Sequence, residues 1–432
     1  MMKKHLLALS AAAVLLAPQA VGAEGFAINE WTAEGMAMGG ARMFAENDAG
    51  NMAYNPAAMT KIQGEKIKAS LTYLSPHGKW KAEASGYDST NGEYTGTGIR
   101  NGAIWTNYGR NRVNPGIVPG LYYVKQLNDK EWLGMATYTR FGMICQFERD
   151  SIVATNAFSS RLNGTSIAMN YARKHDSKWS TSIGAEVNYV GLQLDKNLGV
   201  PHANPAMPGP LHIEGTSWAL GWNAAANYEF DDKNEFAVVY RSKVKHSMEA
   251  DYDAHGVAEN KLTASGDAYG CVTLPESWML GYGHEFNDKT RMELNATWTR
   301  WSRFDAFDMM MTPTGYPFGK LESNPKNWKD GWRYAIGIEH KLSDKYSLLA
   351  GIAHDERSIP DETADFMVPT GERDTYTLGI QYHDKKQTVA LALGYMDVGE
   401  LNMKGSATNA YARAKMYDSY TKMVSISYQY NF

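Results

Sequence analysis

Cysteine is almost missing from this chain: Cys145 and Cys271 are the only two in 432 residues. That scarcity excludes a disulfide-rich scaffold and a paired Cys-x-x-Cys metal site. Whether the two thiols pair is left open by the sequence, since export permits a disulfide. Strong charge is also missing. A net charge of −4 gives no electrostatic case for nucleic acid, which is not expected as a partner. After the first two dozen residues no apolar run approaches the ~20 needed for a transmembrane helix. No pattern calls for a metal or a cofactor, and no Gly-x-Ser-x-Gly nucleophile elbow is present.

What is present begins with an address. Lys3 and Lys4 precede residues 6–17, apolar except for Ser10, and Val21-Gly22-Ala23 supplies a small-residue cleavage pattern. This predicts a signal peptide over 1–23, cut after Ala23. An exported chain without spanning helices can still cross a membrane, but only as a closed barrel, because every backbone group must be satisfied in lipid.

Residues 24–65 do not alternate. They are rich in Gly, Ala, Met and Asn, with one helical pattern from Ala33 to Phe44 interrupted by Gly35, Gly39 and Gly40. Each glycine costs about 1 kcal/mol against alanine, so the segment needs an enclosure. It is expected to be a plug inside a barrel formed by 66–432. There the pattern has period two. At the C-terminus Tyr420, Lys422, Val424, Ile426, Tyr428, Tyr430 and Phe432 share one face, with Thr421, Met423, Ser425, Ser427, Gln429 and Asn431 on the other. Trp332, Tyr334, Ile336 and Ile338 oppose Gly331, Arg333, Ala335 and Gly337 in the same way. Apolar-out with aromatic ends and polar-in is the membrane-barrel arrangement.

Six short Asp- or Asn-rich turns, near 129, 177, 232, 288, 344 and 385, alternate with seven long irregular stretches. The side chains of Asp and Asn bond their own backbone in tight turns. Six turns and seven loops join fourteen strands, the first around Leu71–Ser75 and the last ending at Phe432. The fold class is therefore all-β, a fourteen-stranded antiparallel transmembrane β-barrel with an N-terminal, partly helical plug.

Gly25-Phe26, Asn29-Glu30, Asp48-Ala49-Gly50-Asn51 and Asn55-Pro56-Ala57, in this order, resemble the N-terminal hatch of the FadL-type long-chain fatty-acid transporter family. Arg140-Phe141-Gly142-Met143, Tyr240 to Lys245, Leu274 to Trp278, Trp301 to Phe304 and Ile359-Pro360-Asp361 are similar to further stretches of that family. The resemblance implies passive uptake of long-chain fatty acids or similar hydrophobic compounds across a Gram-negative outer membrane. Ligand would be caught by loops, held in an inner apolar pocket, and released sideways where the third strand kinks. It implies a hydrophobic small molecule and outer-membrane lipid as partners. The assembly machinery would read the strand ending in Phe432, and the protein is expected to be a monomer.

The loop over 197–213 is apolar for an exposed stretch and corresponds to that family's outer capture region, so Leu198, Val200, Met207, Leu211 and Ile213 either catch ligand there or pack loop against loop. Phe141 and Gly142 are the lateral-opening candidates, since glycine in a strand often marks a bulge. Met309-Met310-Met311 offers either an adaptable apolar surface or loop packing. For a carboxylate head group the candidates are Arg241, Lys243, Lys245 and Arg333, with Asp355 on the same lumen-side parity; the alternative is a paired or hydrated polar network of the lumen. Four readings compete: fatty-acid transporter, aromatic-hydrocarbon channel of the same family, outer-membrane barrel enzyme such as a lipase, and open porin. No catalytic residue is assigned.

Overall fold

The last strand closes on the first. Lys66 pairs with Asn431 and Leu71 with Ile426, and the antiparallel ladder continues past Trp80 and Met416. The computed structural model describes residues 25–84, 99–100, 103–104, 107–198, 209–257, 262–306, 308–312, 325–405 and 411–432. The expected signal peptide lies outside these residues, as do Val200 and Met207.

Fourteen antiparallel strands form the wall. They are β1 (Glu65–Ala84), β2 (Gly116–Asn128), β3 (Glu131–Gln146), β4 (Ser159–Lys174), β5 (Trp179–Leu198) and β6 (Gly209–Asp231). Next come β7 (Asn234–Arg241 continued by Val244–Val257) and β8 (Leu262–Leu274 continued by Ser277–Asn287). The circuit ends with β9 (Thr290–Thr299), β10 (Gly331–Lys341), β11 (Tyr346–Asp355), β12 (Arg373–His383), β13 (Gln387–Val398) and β14 (Tyr411–Asn431). All six polar turns fall between paired strands. Several strands run well into the stretches that looked irregular; β1 alone spans 20 residues. Polar edges can pair above the membrane as well as within it, and composition does not mark where the ladder stops.

Side chains obey the inverted pattern. In β11, Ser347, Leu349, Gly351, Ala353 and Asp355 are buried, while Tyr346, Leu348, Ile352 and His354 face out. The outer band is edged by rings: Trp179, Tyr228 and Phe230 near the short turns, and Trp222, Tyr240 and Trp278 in a ladder nearer the loops. Such girdles suit the two membrane–water interfaces.

The hatch fills the lumen. Its helix α1 (Ala33–Ala37) is capped by Thr32, whose hydroxyl accepts from the Gly35 N–H at 3.0 Å. It is shorter than the sequence pattern because Gly39 and Gly40 take φ of 62° and 86°, which ends the helix. The chain then enters α2 (Asn51–Tyr54) and a 3₁₀ turn (Pro56–Lys61). Asn55, Pro56 and Ala57 form that joint. Asn55 Oδ1 accepts from Ala57 N at 3.1 Å, Pro56 needs no donor there, and Ala57 is fully buried.

Candidate functional site

The hatch is held by charge. Lys68, 1% exposed at its side chain, reaches from β1 to Glu34 at 2.8 Å and Asp48 at 2.6 Å. Arg42 bridges Asp48 at 3.2 Å and Glu339 of β10 at 3.3 Å. From β9, Glu293 accepts from Met43 N, and Arg291 donates to the Phe44 carbonyl at 3.2 Å. Burial alone would raise the Asp48 carboxyl, but Lys68 and Arg42 outweigh it and hold it below the usual carboxylate range. Burial does win at Glu30, whose carboxyl lies above its ordinary value against the opposing pull of Arg333.

The two candidate arginines belong to this clamp. Arg241 donates to the Ala53 carbonyl at 2.5 Å and lies over the Trp31 ring. Arg333 donates to the Gly39 carbonyl at 2.6 Å and pairs with Asp355 at 3.2 Å. The shared inward parity expected for Arg241, Lys243 and Lys245 is broken. β7 is interrupted at Ser242-Lys243, Arg241 and Ser242 are both buried, and both lysines then face outward. A one-residue irregularity flips every later side chain to the other face. The two thiols are free, Cys145 buried and Cys271 exposed.

Above the hatch, at the long-loop end, lies an apolar chamber. Phe26 is ringed by Phe141, Trp301, Phe304 and Trp328, with edge-on centroid distances of 5.8, 4.9, 5.1 and 5.9 Å. A cavity of about 10 Å³, room for about one water, remains among Phe26, Met143, Leu162, Leu192, Phe304 and Met367. Arg161, Ser160 and Gln193 are its polar wall. Its lid is a loop segment in which Phe366 packs on Trp80, Phe147 and Tyr411. Beside it Lys326 and Asp365 pair at 2.6 Å. Leu211 and Ile213 project into the same cluster, at 1% and 4% exposure. Leu198 pairs its backbone with Gly209, and its side chain lies outside the described residues. Met310 is exposed and Met311 packs on the cluster.

The chamber floor meets a break in the wall. β2 and β3 pair only from Leu121↔Thr137 down to the turn. Beyond that, the free edge of β3 is taken by the hatch: Ile28 N donates to Arg140 O at 2.9 Å and Gly142 N to Phe26 O at 2.8 Å. The register slips between Thr139 and Phe141, so the bulged residue is Arg140, two positions before the glycine expected to permit the break. Arg140 is buried against Glu186 at 3.2 Å and caps the Phe141 ring. Sequence reading quoted Arg140 only within a family-like stretch, with no role, and missed Arg161 and the segment 364–368; in the last, the apolar cluster of Phe366, Met367 and Val368 in a loop was the available signal.

Comparison with known proteins agrees with this architecture. The family described as "Outer membrane protein transport protein (OMPP1/FadL/TodX)" matches residues 13–432. The long-chain fatty acid transport protein of Salmonella typhi is 25% identical over 417 residues, covering 90% of this chain and 91% of that protein. Outer membrane protein P1 of Haemophilus influenzae is 26% identical over 434 residues, covering 94% and 91%. Among solved structures, a Pseudomonas aeruginosa FadL homologue superposes with a TM-score of 0.81 at 20% identity, covering 94% of this chain and 100% of that one. The Pseudomonas putida toluene transporter TodX gives 0.69 at 16% identity, covering 94% and 99%. The chain belongs to the OMPP1/FadL/TodX family, non-enzymatic β-barrel channels that transport hydrophobic compounds across the outer membrane of Gram-negative bacteria.

Proposed function

We propose that this protein takes up long-chain fatty acids or closely similar amphiphiles by passive diffusion. The observation that carries the reading is the aromatic and aliphatic chamber seated on the hatch and opening onto the β3 bulge. Each methylene buried there is worth about 0.8 kcal/mol, which a water-filled pore would forfeit. Leu211 and Ile213 guide the chain from the loops, and Phe26 is the side chain that must shift, because the resting cavity is too small for any ligand. Release then runs sideways past Phe141 and Gly142, where only the hatch seals β3. An amphiphile is favoured over a plain aromatic hydrocarbon because Arg161, with Ser160 and Gln193, gives a polar wall to a cavity whose other lining side chains are apolar. We also infer cleavage after Ala23, a hatch spanning about 24–65, assembly through the strand ending at Phe432, and a monomeric state.

Native mass spectrometry of protein extracted from its own membrane is expected to show a bound carboxylate amphiphile. An empty barrel that lets sugars pass would overturn the reading. Arg161→Gln should weaken binding of a long-chain carboxylate by about tenfold, the worth of one charge-assisted hydrogen bond, and leave a neutral hydrocarbon unaffected. Equal loss for both ligands would remove Arg161 from head-group recognition.

A further inference from the structure

The wall has a second break, far from β3. Between β6 and β7 the ladder runs from the turn up to Asn223↔Arg241 and resumes at Thr216↔Glu249. The intervening residues, 217–222 on β6 and 242–248 on β7, are not paired with each other, although 217–222 stay paired with β5 and 244–248 with β8, and the register slips by one across the gap. Only serines stitch it. Ser242 exchanges two bonds with the Trp222 backbone, both at 2.9 Å, and Ser217 Oγ donates to Ser247 O at 2.7 Å. β8 is interrupted at the same height, after Leu274, by Pro275, which has no N–H to give.

The two sides of this break match one kind of molecule. Outside stand Trp218, Leu220 and Trp222. Leu220, at 79%, is the most exposed large apolar side chain among the described residues. Lys243 and Lys245, the pair displaced from the lumen by the strand break, are exposed on the same outer face of β7. At the loop-ward end an outward groove of about 530 Å³, ordinary for a small-molecule site, is bounded by Trp218, Met248, Tyr269 and Cys271, with Glu249 beside them. Inside, Val244 and Met248 are buried in the apolar cluster that contains Phe26 and Leu192, and Ala219 packs against it. An apolar track flanked by two cations outside therefore backs directly onto the chamber inside.

We propose that the break between β6 and β7 is a second side portal, through which a single-chain anionic amphiphile dissolved in the outer leaflet reaches the chamber. Lys243 and Lys245 draw the head group to the girdle level, and the chain then enters past Trp218 and Leu220. Separating the strands here means parting a few serine-mediated bonds instead of a continuous ladder. This rests on the uptake reading above and assigns it a membrane-side route in addition to the loops.

The test closes the slit. Ser217 and Met248 are both buried and would be the next opposed pair after Thr216↔Glu249. The double variant Ser217→Cys/Met248→Cys, made with Cys271→Ser, is reconstituted in vesicles and oxidised, and the bond is checked by mass. Palmitate supplied from a donor bilayer should be taken up severalfold more slowly, at the residual rate that the loop route sustains, and reductant should restore the full rate. Ala219→Trp, which fills the slit without a crosslink, should behave like the oxidised form while still migrating as a folded barrel. Unchanged uptake in either closed form overturns the portal. Wild-type protein that moves no palmitate at all overturns the uptake reading instead. Lys243→Gln/Lys245→Gln should slow palmitate and spare the neutral fatty alcohol of equal length; an equal effect on both, or none, overturns the role of the lysines.

Discussion

Replacing Gly351 by Val should turn a silent barrel into a conducting one. Gly351 lies on the lumen side of β11, and a Cβ built there falls inside the van der Waals shell of the Met38 carbonyl carbon and the Gly39 nitrogen. Both are backbone atoms, so no rotamer change relieves the overlap. Gly39 in turn approaches the Ile352 carbonyl, with φ of 62° that a larger residue would resist. α1 and the turn behind it would have to leave the wall, breaking the Gly39 N–Thr377 and Arg333–Gly39 O bonds. The wall itself keeps its ladder, because β11 pairs with β10 and β12 through backbone. Planar-bilayer recordings should show stepwise ion conductance in the variant and little in the parent. A folded variant that stays silent would mean that the hatch yields locally without opening a path.

Lys68→Met should loosen the hatch more than any other single charge deletion. Glu34 and Asp48 are 1% and 7% exposed at their side chains, and Lys68 lies within 2.8 Å of both. Removing the cation leaves two buried carboxylates, of which only Asp48 keeps a direct ion pair, with Arg42. Breaking a buried pair costs about 3–5 kcal/mol. Protease accessibility of the hatch should rise sharply at neutral pH. The wild-type hatch should be insensitive to mild acid. The Asp48 carboxyl is depressed in the folded state, so its contribution is complete above the ordinary Asp value of about 3.9 and is lost only as pH falls towards the folded value. Glu30 is raised, so its contribution runs the other way: it is complete at acidic pH and is lost as pH rises through its folded value. Limited proteolysis between pH 7 and about 5 should therefore show a wild-type hatch that is held no less tightly in acid. A hatch released at pH 5 would refute this account of the clamp.

Much of the molecule was legible from residue order. The alternation of Tyr420 to Phe432, the six Asp- and Asn-rich turns and the glycine-interrupted run after residue 24 are local signals. Each follows from side-chain period or turn chemistry, and together they are enough for fourteen strands and an enclosed plug. What parity could not supply was the fate of a strand beyond an irregularity. Lys243 and Lys245 share a sequence parity with Arg241, yet the break at Ser242-Lys243 sends them to the opposite face. Gly142 drew attention as the flexible residue, but the bulge falls at Arg140, where Glu186 from another strand rewards a buried cation. Arg241 and Arg333 looked like head-group anchors, and both are used up by hatch carbonyls that only the closed barrel brings within reach.

The sequence by itself determined the class of architecture and the existence of the plug, because period-two patterning and turn residues act over a few positions. The tertiary structure decided which polar groups are already partnered, where the chamber lies and where the wall is unpaired. Those properties depend on contacts between residues up to 394 apart in the chain, such as Ala33 with Ser427, and on register slips that no local pattern encodes.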